Sequence, residues 1–194
     1  MKQIFAILVL ALLLLGCASQ NVEKQGNLNN QTNNQSTQEV VDLKTEPGDS
    51  VEVDYLGTLE NGTVFDTSIQ EEAVKAKLPS RPAYSPLGFK VGAGQMIAGF
   101  DKAVVGMKVG EEKTVTLKPE EAYGEIQQNL IVDIPKDKVP PEVQKGSRLM
   151  ASNGMSGVVL EVGNETVKID FNHELAGKSL TFKIIMRKIT KASN

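Results

Sequence analysis

The sequence has no tryptophan, one cysteine and one histidine, and aromatic side chains make up only 5% of it. The lone Cys17 excludes a disulfide framework, and with His173 it cannot supply the ligands of an N/S zinc site within one chain. An excess of positive charge is also missing. Lys and Arg number 21 against 24 Asp and Glu, a net charge of -3, so no basic field gathers phosphates and a nucleic-acid partner is not expected. No apolar run reaches the roughly 20 residues that a helix needs to cross a bilayer. With so few aromatics, each Phe and Tyr needs a reason for its position. What remains is a globular composition, 40% hydrophobic and 23% charged over 194 residues, room for one ordinary domain and a modest addition.

The chain opens with Lys2 and an apolar run from Ile4 to Leu15, too short to span a membrane but suited to a signal-peptide core, so residues 1–16 are set apart from the fold. Leu14-Leu15-Gly16-Cys17 resembles the lipobox of prokaryotic lipoproteins, in which cleavage before the cysteine follows lipid attachment to its sulfur. The resemblance implies a lipid on Cys17, an anchor in the membrane and a folded head outside the cytoplasm. The competing reading is an uncleaved anchor or a chance cysteine behind a signal peptide. Between Ser19 and Gln38, six Asn and five Gln leave Val22 and Leu28 as the only sizeable apolar residues. Such a stretch cannot bury enough surface to offset the entropy of ordering it, so residues 17–45 read as a disordered tether.

From Ser50, Val51, Val53 and Tyr55 alternate with Glu52 and Asp54 at the two-residue period of a half-buried strand. Asn61-Gly62 then separates two strand-like runs, which predicts an antiparallel hairpin. Glu71 to Lys77 reads as a short helical turn, and Pro79, Pro82 and Pro86 as an irregular surface excursion. A strand is expected from Leu87 to Val91. Phe100, Ala103, Val104 and Met107 follow at the spacing of a short amphipathic helix. Lys113 to Leu117 and Leu180 to Ile189 alternate again, the latter carrying Phe182, Ile184 and Met186 on one face. Antiparallel strands with one helix imply an α+β domain in which a curved sheet wraps that helix.

Several chemistries lack their motifs. Gly92-Ala93-Gly94 does not continue into a phosphate-binding pattern, Ser68 and Ser85 lack a nucleophile elbow, and no second carboxylate or histidine is spaced to make a dyad with Asp66.

Val53-Asp54-Tyr55-Leu56-Gly57-Thr58-Leu59-Glu60-Asn61-Gly62-Thr63-Val64-Phe65-Asp66-Thr67-Ser68, Val91-Gly92-Ala93-Gly94-Gln95-Met96-Ile97-Ala98-Gly99-Phe100, Gly106-Met107-Lys108-Val109-Gly110-Glu111 and Glu121-Ala122-Tyr123-Gly124 together resemble the FKBP-type peptidyl-prolyl cis/trans isomerases. The stretch from Asn129 through Pro135 to Phe171-Asn172-His173-Glu174-Leu175-Ala176-Gly177 further resembles the SlyD-like, long prokaryotic branch, in which a small β-rich domain interrupts the flap. The resemblance implies an isomerase domain over 46–128 plus 173–194 and an insert-in-flap domain over 129–172. In the sequence itself, Asp133 to Glu142 is rich in Pro and charge, and Arg148 to Ala151, Gly157 to Val162 and Glu165 to Phe171 read as short strands.

An apolar pocket suffices for this reaction. The barrier of about 20 kcal/mol to rotation about the prolyl amide comes from a resonance that water stabilises, and a dry pocket gripping the ring favours the twisted amide without a nucleophile. The resemblance places Tyr55 and Phe65 on one wall, Asp66 beside them as the polar group, and Phe182 on another side. It places Met96 and Ile97 before the helix, with the Ile97 N–H holding a substrate carbonyl, and Leu87 and Phe89 in a further wall. Phe100 stands where many relatives have Trp at the floor, which implies a differently shaped floor and weakened macrolide affinity. Tyr123 is expected to offer its hydroxyl to the ligand. The competing roles are simple core for Phe65, Ile97, Phe100 and Phe182, a turn cap for Asp66 with Thr67 and Ser68, and mere packing for His173.

In the insert, Leu149, Met150, Met155, Val158, Val159 and Leu160 exceed what three short strands can cover. Some apolar surface is therefore expected to stay exposed, with about half of the six filling a small core, and the resemblance to the chaperone insert of SlyD-like proteins implies that Leu149, Met150, Met155 and Val159 contribute to client binding. The partners implied are unfolded or proline-containing polypeptides and a membrane reached through the lipid. A monomer without cofactor is expected. The last residues, Ile189 to Asn194, carry no His or Cys, so the metal-binding tail of many SlyD-like proteins is not carried over. The alternative function is a non-catalytic holdase or proline-peptide-binding module at the cell surface, and a third is a surface scaffold with a vestigial pocket.

Overall fold

The computed structural model describes residues 43–193; the signal-peptide, lipobox and nearly all of the tether readings lie outside the described residues. Strand β1, Ser50–Leu59, buries Val51 and Val53 on one face as its alternation predicts. It turns through Asn61-Gly62 into β2, Val64–Thr67, and Gly62 takes a φ of 81° that a β-carbon would resist. Helix α1, Gln70–Lys75, is a turn and a half, and the proline-rich excursion after it leads to β3, Leu87–Lys90, which pairs with the first half of β1. Helix α2, Ala98–Val104, buries Gly99, Phe100, Ala103 and Val104. Met107 fills the fourth apolar position but lies outside the helix. The chain leaves helical geometry at Val105 and turns at Gly106, yet Met107 stays buried.

Strands β4, Glu112–Leu117, and β9, Leu180–Thr190, complete the first sheet, whose order is β2-β1-β9-β4 with β3 beside β1, all antiparallel. β1 and β9 pair along their whole lengths, from Ser50 opposite Thr190 to Leu59 opposite Leu180. Val51, Val53, Phe89, Phe100, Val104, Met107, Leu180, Phe182, Ile184 and Met186 form one core between sheet and α2. Each such fully covered side chain contributes about 1.5–3 kcal/mol. Gly99 lets α2 approach β4, because a β-carbon there would lie 2.5 Å from Leu117 Cδ2. The ends are tied by buried Asp49, which accepts hydrogen bonds from the Glu46 N–H (2.8 Å), the Ala192 N–H (3.0 Å) and Lys191 Nζ (2.9 Å).

Leu117 at the end of β4 pairs with Leu180 at the start of β9, so residues 118–179 leave the first sheet and return at one register position. Within them a second antiparallel sheet forms in the order β5-β8-β7-β6, from β5, Ile131–Pro135, β6, Arg148–Met150, β7, Ser156–Val162, and β8, Thr166–Asp170. Strand β5 is not expected from its Pro- and charge-rich continuation. It exists because it is an edge strand, where Pro135 withholds no needed N–H and Asp133 faces solvent. Val143, Val159, Val167 and Ile169 make this sheet's own small core. The outgoing and returning segments are stapled by Asn172, whose side chain accepts from the Gln127 N–H (2.9 Å) and donates to the Gln127 carbonyl (3.1 Å).

Candidate active site

Four rings from four elements converge between the hairpin, β9 and α2. Phe182 of β9 touches three of them, with centroid distances of 5.7 Å to Phe65, 6.5 Å to Tyr55 and 5.2 Å to Phe100. The Phe65 and Phe100 contacts are edge-to-face, the arrangement aromatic quadrupoles favour. Tyr55 meets Phe100 edge-on at 6.0 Å. The rings do not fill a solid interior. With Leu87, Gln95, Met96, Ile97 and Tyr123 they enclose an open hollow of about 310 Å³, predominantly apolar with a few polar atoms at its edge. Concavity, apolar walls and sparse oriented polar groups are the usual make-up of a ligand site.

The polar edge is built around Asp66. Tyr55 Oη donates to Asp66 Oδ2 at 2.6 Å, while Asp66 Oδ1 accepts from the Thr67 N–H (2.9 Å) and from the Arg81 guanidinium. Burial, and then the neighbouring Asp66, push the Tyr55 phenol up to about 12. It therefore remains a hydrogen-bond donor at physiological pH. Arg81 is held further above its ordinary value, chiefly by the bond to Asp66. Thr67 and Ser68 are buried. Thr67 Oγ1 donates to the Tyr55 carbonyl (2.6 Å), and Ser68 Oγ accepts the Tyr55 N–H (3.0 Å) and donates to Asp54 Oδ1 (2.8 Å). These bonds fix the β1–β2 backbone, so Tyr55 and Asp66 meet the hollow at a set angle.

A second hollow of about 370 Å³ adjoins the first and shares Phe65, Asp66 and Tyr123 with it. Its far wall is Leu78 to Arg81 on one side and His173 to Leu175 on the other. Tyr123 follows the 3-10 turn Pro119–Glu121 and is 38% exposed; its phenol is raised by burial and then by the charge of Asp66. Among the described residues its hydroxyl has no hydrogen-bond partner.

The structure thus brings together Tyr55, Phe65, Asp66, Leu87, Met96, Ile97, Phe100, Tyr123 and Phe182. Phe89 is a correction. It shares the inward face of β3 with Leu87 but sits two residues deeper, buried against Phe100 (centroids 5.9 Å), behind the hollow rather than in it. Val159 is another, at 1% exposure in the core of the second sheet, where it has no surface to offer a client. Leu149 is half-buried against that core, whereas Met150 is 77% exposed and Met155, five residues on, is 37% exposed. Cys17 lies outside the described residues. Sequence reasoning missed Arg81, which stands in the proline-rich excursion with no periodic pattern and is 15 residues from its partner Asp66. It also missed Gln95, on the hollow's rim, and the partner of His173, whose ring stacks on Tyr123.

The profile of the FKBP-type peptidyl-prolyl cis-trans isomerases matches residues 42–184. The chain is 47% identical over 152 residues to the short-type peptidyl-prolyl cis-trans isomerase of Methanocaldococcus jannaschii, covering 76% of this chain and 95% of that protein. It is 34% identical over 155 residues to the isomerase SlyD of Aeromonas hydrophila, covering 78% and 67% respectively. It is also 34% identical over 122 residues to SlyD of Treponema pallidum, covering 60% and 69%. An aromatic hollow edged by a hydrogen-bonded Tyr–Asp pair, every residue of which lies within the matched span, leads to one assignment: the chain belongs to the FKBP-type peptidyl-prolyl cis-trans isomerase family.

Proposed function

We propose that the hollow between Tyr55, Phe65, Phe100 and Phe182 is where this isomerase binds the prolyl ring. The supporting observation is an open, predominantly apolar space of about 310 Å³ whose polar atoms gather at one edge. A prolyl ring seated on Phe100 and Phe182 leaves water behind, and with it the solvation that favours the planar, dipolar amide. The twisted amide has less need of that solvation, so the pocket binds it more tightly than the ground state. Tyr123, whose hydroxyl has no hydrogen-bond partner among the described residues, and the Ile97 N–H at the start of α2 hold the carbonyls on either side. Tyr55 and Arg81 fix Asp66, and no proton transfer is required. In a protease-coupled prolyl-peptide assay the chain accelerates isomerisation, and Tyr123→Ala and Asp66→Ala lower kcat/KM; no acceleration at micromolar protein would refute the reading.

The second sheet is the part that holds unfolded chains. Exposed Met150, Met155 and Leu160 give it an adaptable apolar surface that its small core does not use. Replacing residues 129–172 by a short linker leaves tetrapeptide isomerisation near its full rate and abolishes suppression of aggregation and catalysis of proline-limited refolding. A non-catalytic holdase would instead lack peptide activity in both forms. Lys2, the apolar run Ile4–Leu15 and Leu14-Leu15-Gly16-Cys17 support export and anchoring by a lipid on Cys17, with exported proteins as clients. Cys17→Ala then releases the protein from membranes and abolishes its labelling by fatty acid.

A further inference from the structure

We propose that His173 is a positioning residue for the isomerase reaction: its neutral imidazole, fixed by the chain that follows it, holds the Tyr123 ring upright between the two hollows. This rests on the reading of Tyr123 as a substrate contact and names what controls it.

The Tyr123 and His173 rings lie parallel, 3° apart in plane, with centroids at 4.0 Å. Tyr123 needs such a support. Its ring is partly exposed, its hydroxyl makes no bond among the described residues, and its backbone sits between a 3-10 turn and Gly124 at a φ of 80°. The imidazole plane is set in turn by its own segment. The Leu175 N–H donates to His173 Nδ1 (3.1 Å), and the Ala176 N–H donates to the His173 carbonyl (2.9 Å). The Gly177 N–H reaches the Gly124 carbonyl (2.8 Å), which binds this turn to the Tyr123 loop.

An Nδ1 that accepts a hydrogen bond carries no proton, so the observed turn requires neutral imidazole. Protonation would set an Nδ1–H against the Leu175 N–H, and the ring would have to rotate away from its stack. The charged groups around it are Asp66 and Arg81 on the opposite wall and Glu174 beside it, with Arg148 and Lys178 acting on Glu174.

The test uses the full chain in a protease-free prolyl-peptide assay, with kcat and KM measured separately. His173→Asn keeps an acceptor for the Leu175 N–H, because an Asn side chain bonds the backbone two residues on, but it removes the stack. Its KM should rise about 2- to 12-fold at neutral pH, the span that an aromatic pair is worth, with Tm lowered by no more than about 6 °C. His173→Phe keeps an aromatic plane against Tyr123, so it should recover part of that loss. A His173→Asn protein with unaltered KM, or a His173→Phe protein whose KM is no lower than that of His173→Asn, overturns the inference. Tyr123→Ala without effect would overturn the underlying site reading instead.

Discussion

Gly57→Ala adds one carbon at the place where the hairpin passes beneath the site. A β-carbon on Gly57 would lie 2.6 Å from Phe65 Cζ, 3.0 Å from Phe65 Cε2 and 3.2 Å from Phe182 Cε1. Carbon atoms rest at about 3.5–4.0 Å, so the Phe65 ring must withdraw by roughly 1 Å. Phe182 cannot retreat, because it is buried and already in edge contact with Phe100. Phe65 is half-buried and borders both hollows, so it alone moves, outward over the prolyl pocket. Overpacking of this kind costs about 1–3 kcal/mol, and the lost freedom of the unfolded chain returns about 0.4–1 kcal/mol. A net loss of about 1–2 kcal/mol, at about 2–4 °C per kcal/mol for a domain of this size, lowers Tm by roughly 2–8 °C. Displacement of a positioning wall by 1 Å can cost about 100-fold in rate, so kcat/KM should fall about 10- to 100-fold. Prolyl-peptide kinetics and thermal unfolding measure both. Gly88→Ala is the control on β3, where the nearest atoms to an added carbon are Val51 O at 3.9 Å and Glu52 Cγ at 4.0 Å, and it should be silent. Phe65→Leu in the Gly57→Ala background should restore stability. Equal activity and Tm in the Gly57 and Gly88 variants would refute the aromatic packing on which the pocket argument depends.

The remaining predictions concern the polar edge and the second sheet. Tyr55 titrates higher in the folded protein, about 12 against an ordinary 10.0, so the stability it contributes is full below pH 10 and disappears as pH rises towards 12. Asp66→Asn removes the carboxylate that helps hold the phenol up, so the slowest tyrosinate to appear in an ultraviolet pH titration should appear at lower pH; an unchanged titration would mean that burial acts alone. Met150→Glu, at a side chain 77% exposed, should leave Tm and tetrapeptide turnover unchanged while weakening suppression of aggregation. Retained suppression would move the client surface elsewhere on the second sheet.

The framework of this fold was legible because its signals are local. Alternation along 51–55 and 180–189, the Asn61-Gly62 turn and the apolar spacing from Phe100 each report on neighbours within a few residues, and burial of one face enforces them. Strand β5 escaped because an edge strand tolerates the proline and charge that argue against a central one. The helical spacing ran one position too far for the same kind of reason. Met107 belongs to the core but reaches it from a turn.

In the site, the aromatic set and Asp66 were legible only through the resemblance of their motifs to the FKBP-type isomerases, since periodicity alone reads Phe65, Phe100 and Phe182 as simple core. Depth was not local. Leu87 and Phe89 share a face and a spacing, and only the position of α2 makes one a wall and the other core. Val159 and Met150 are both apolar residues of short strands, and only the pairing of β7 with β8 decides that one is sealed and the other exposed. Arg81 against Asp66 and His173 against Tyr123 are contacts across 15 and 50 residues, set by where loops are carried by the strands that bracket them. Composition and periodicity determined which residues seek an interior. Tertiary closure decided which of them share a surface, because a side chain's distance from a residue elsewhere in the chain depends on every element between them.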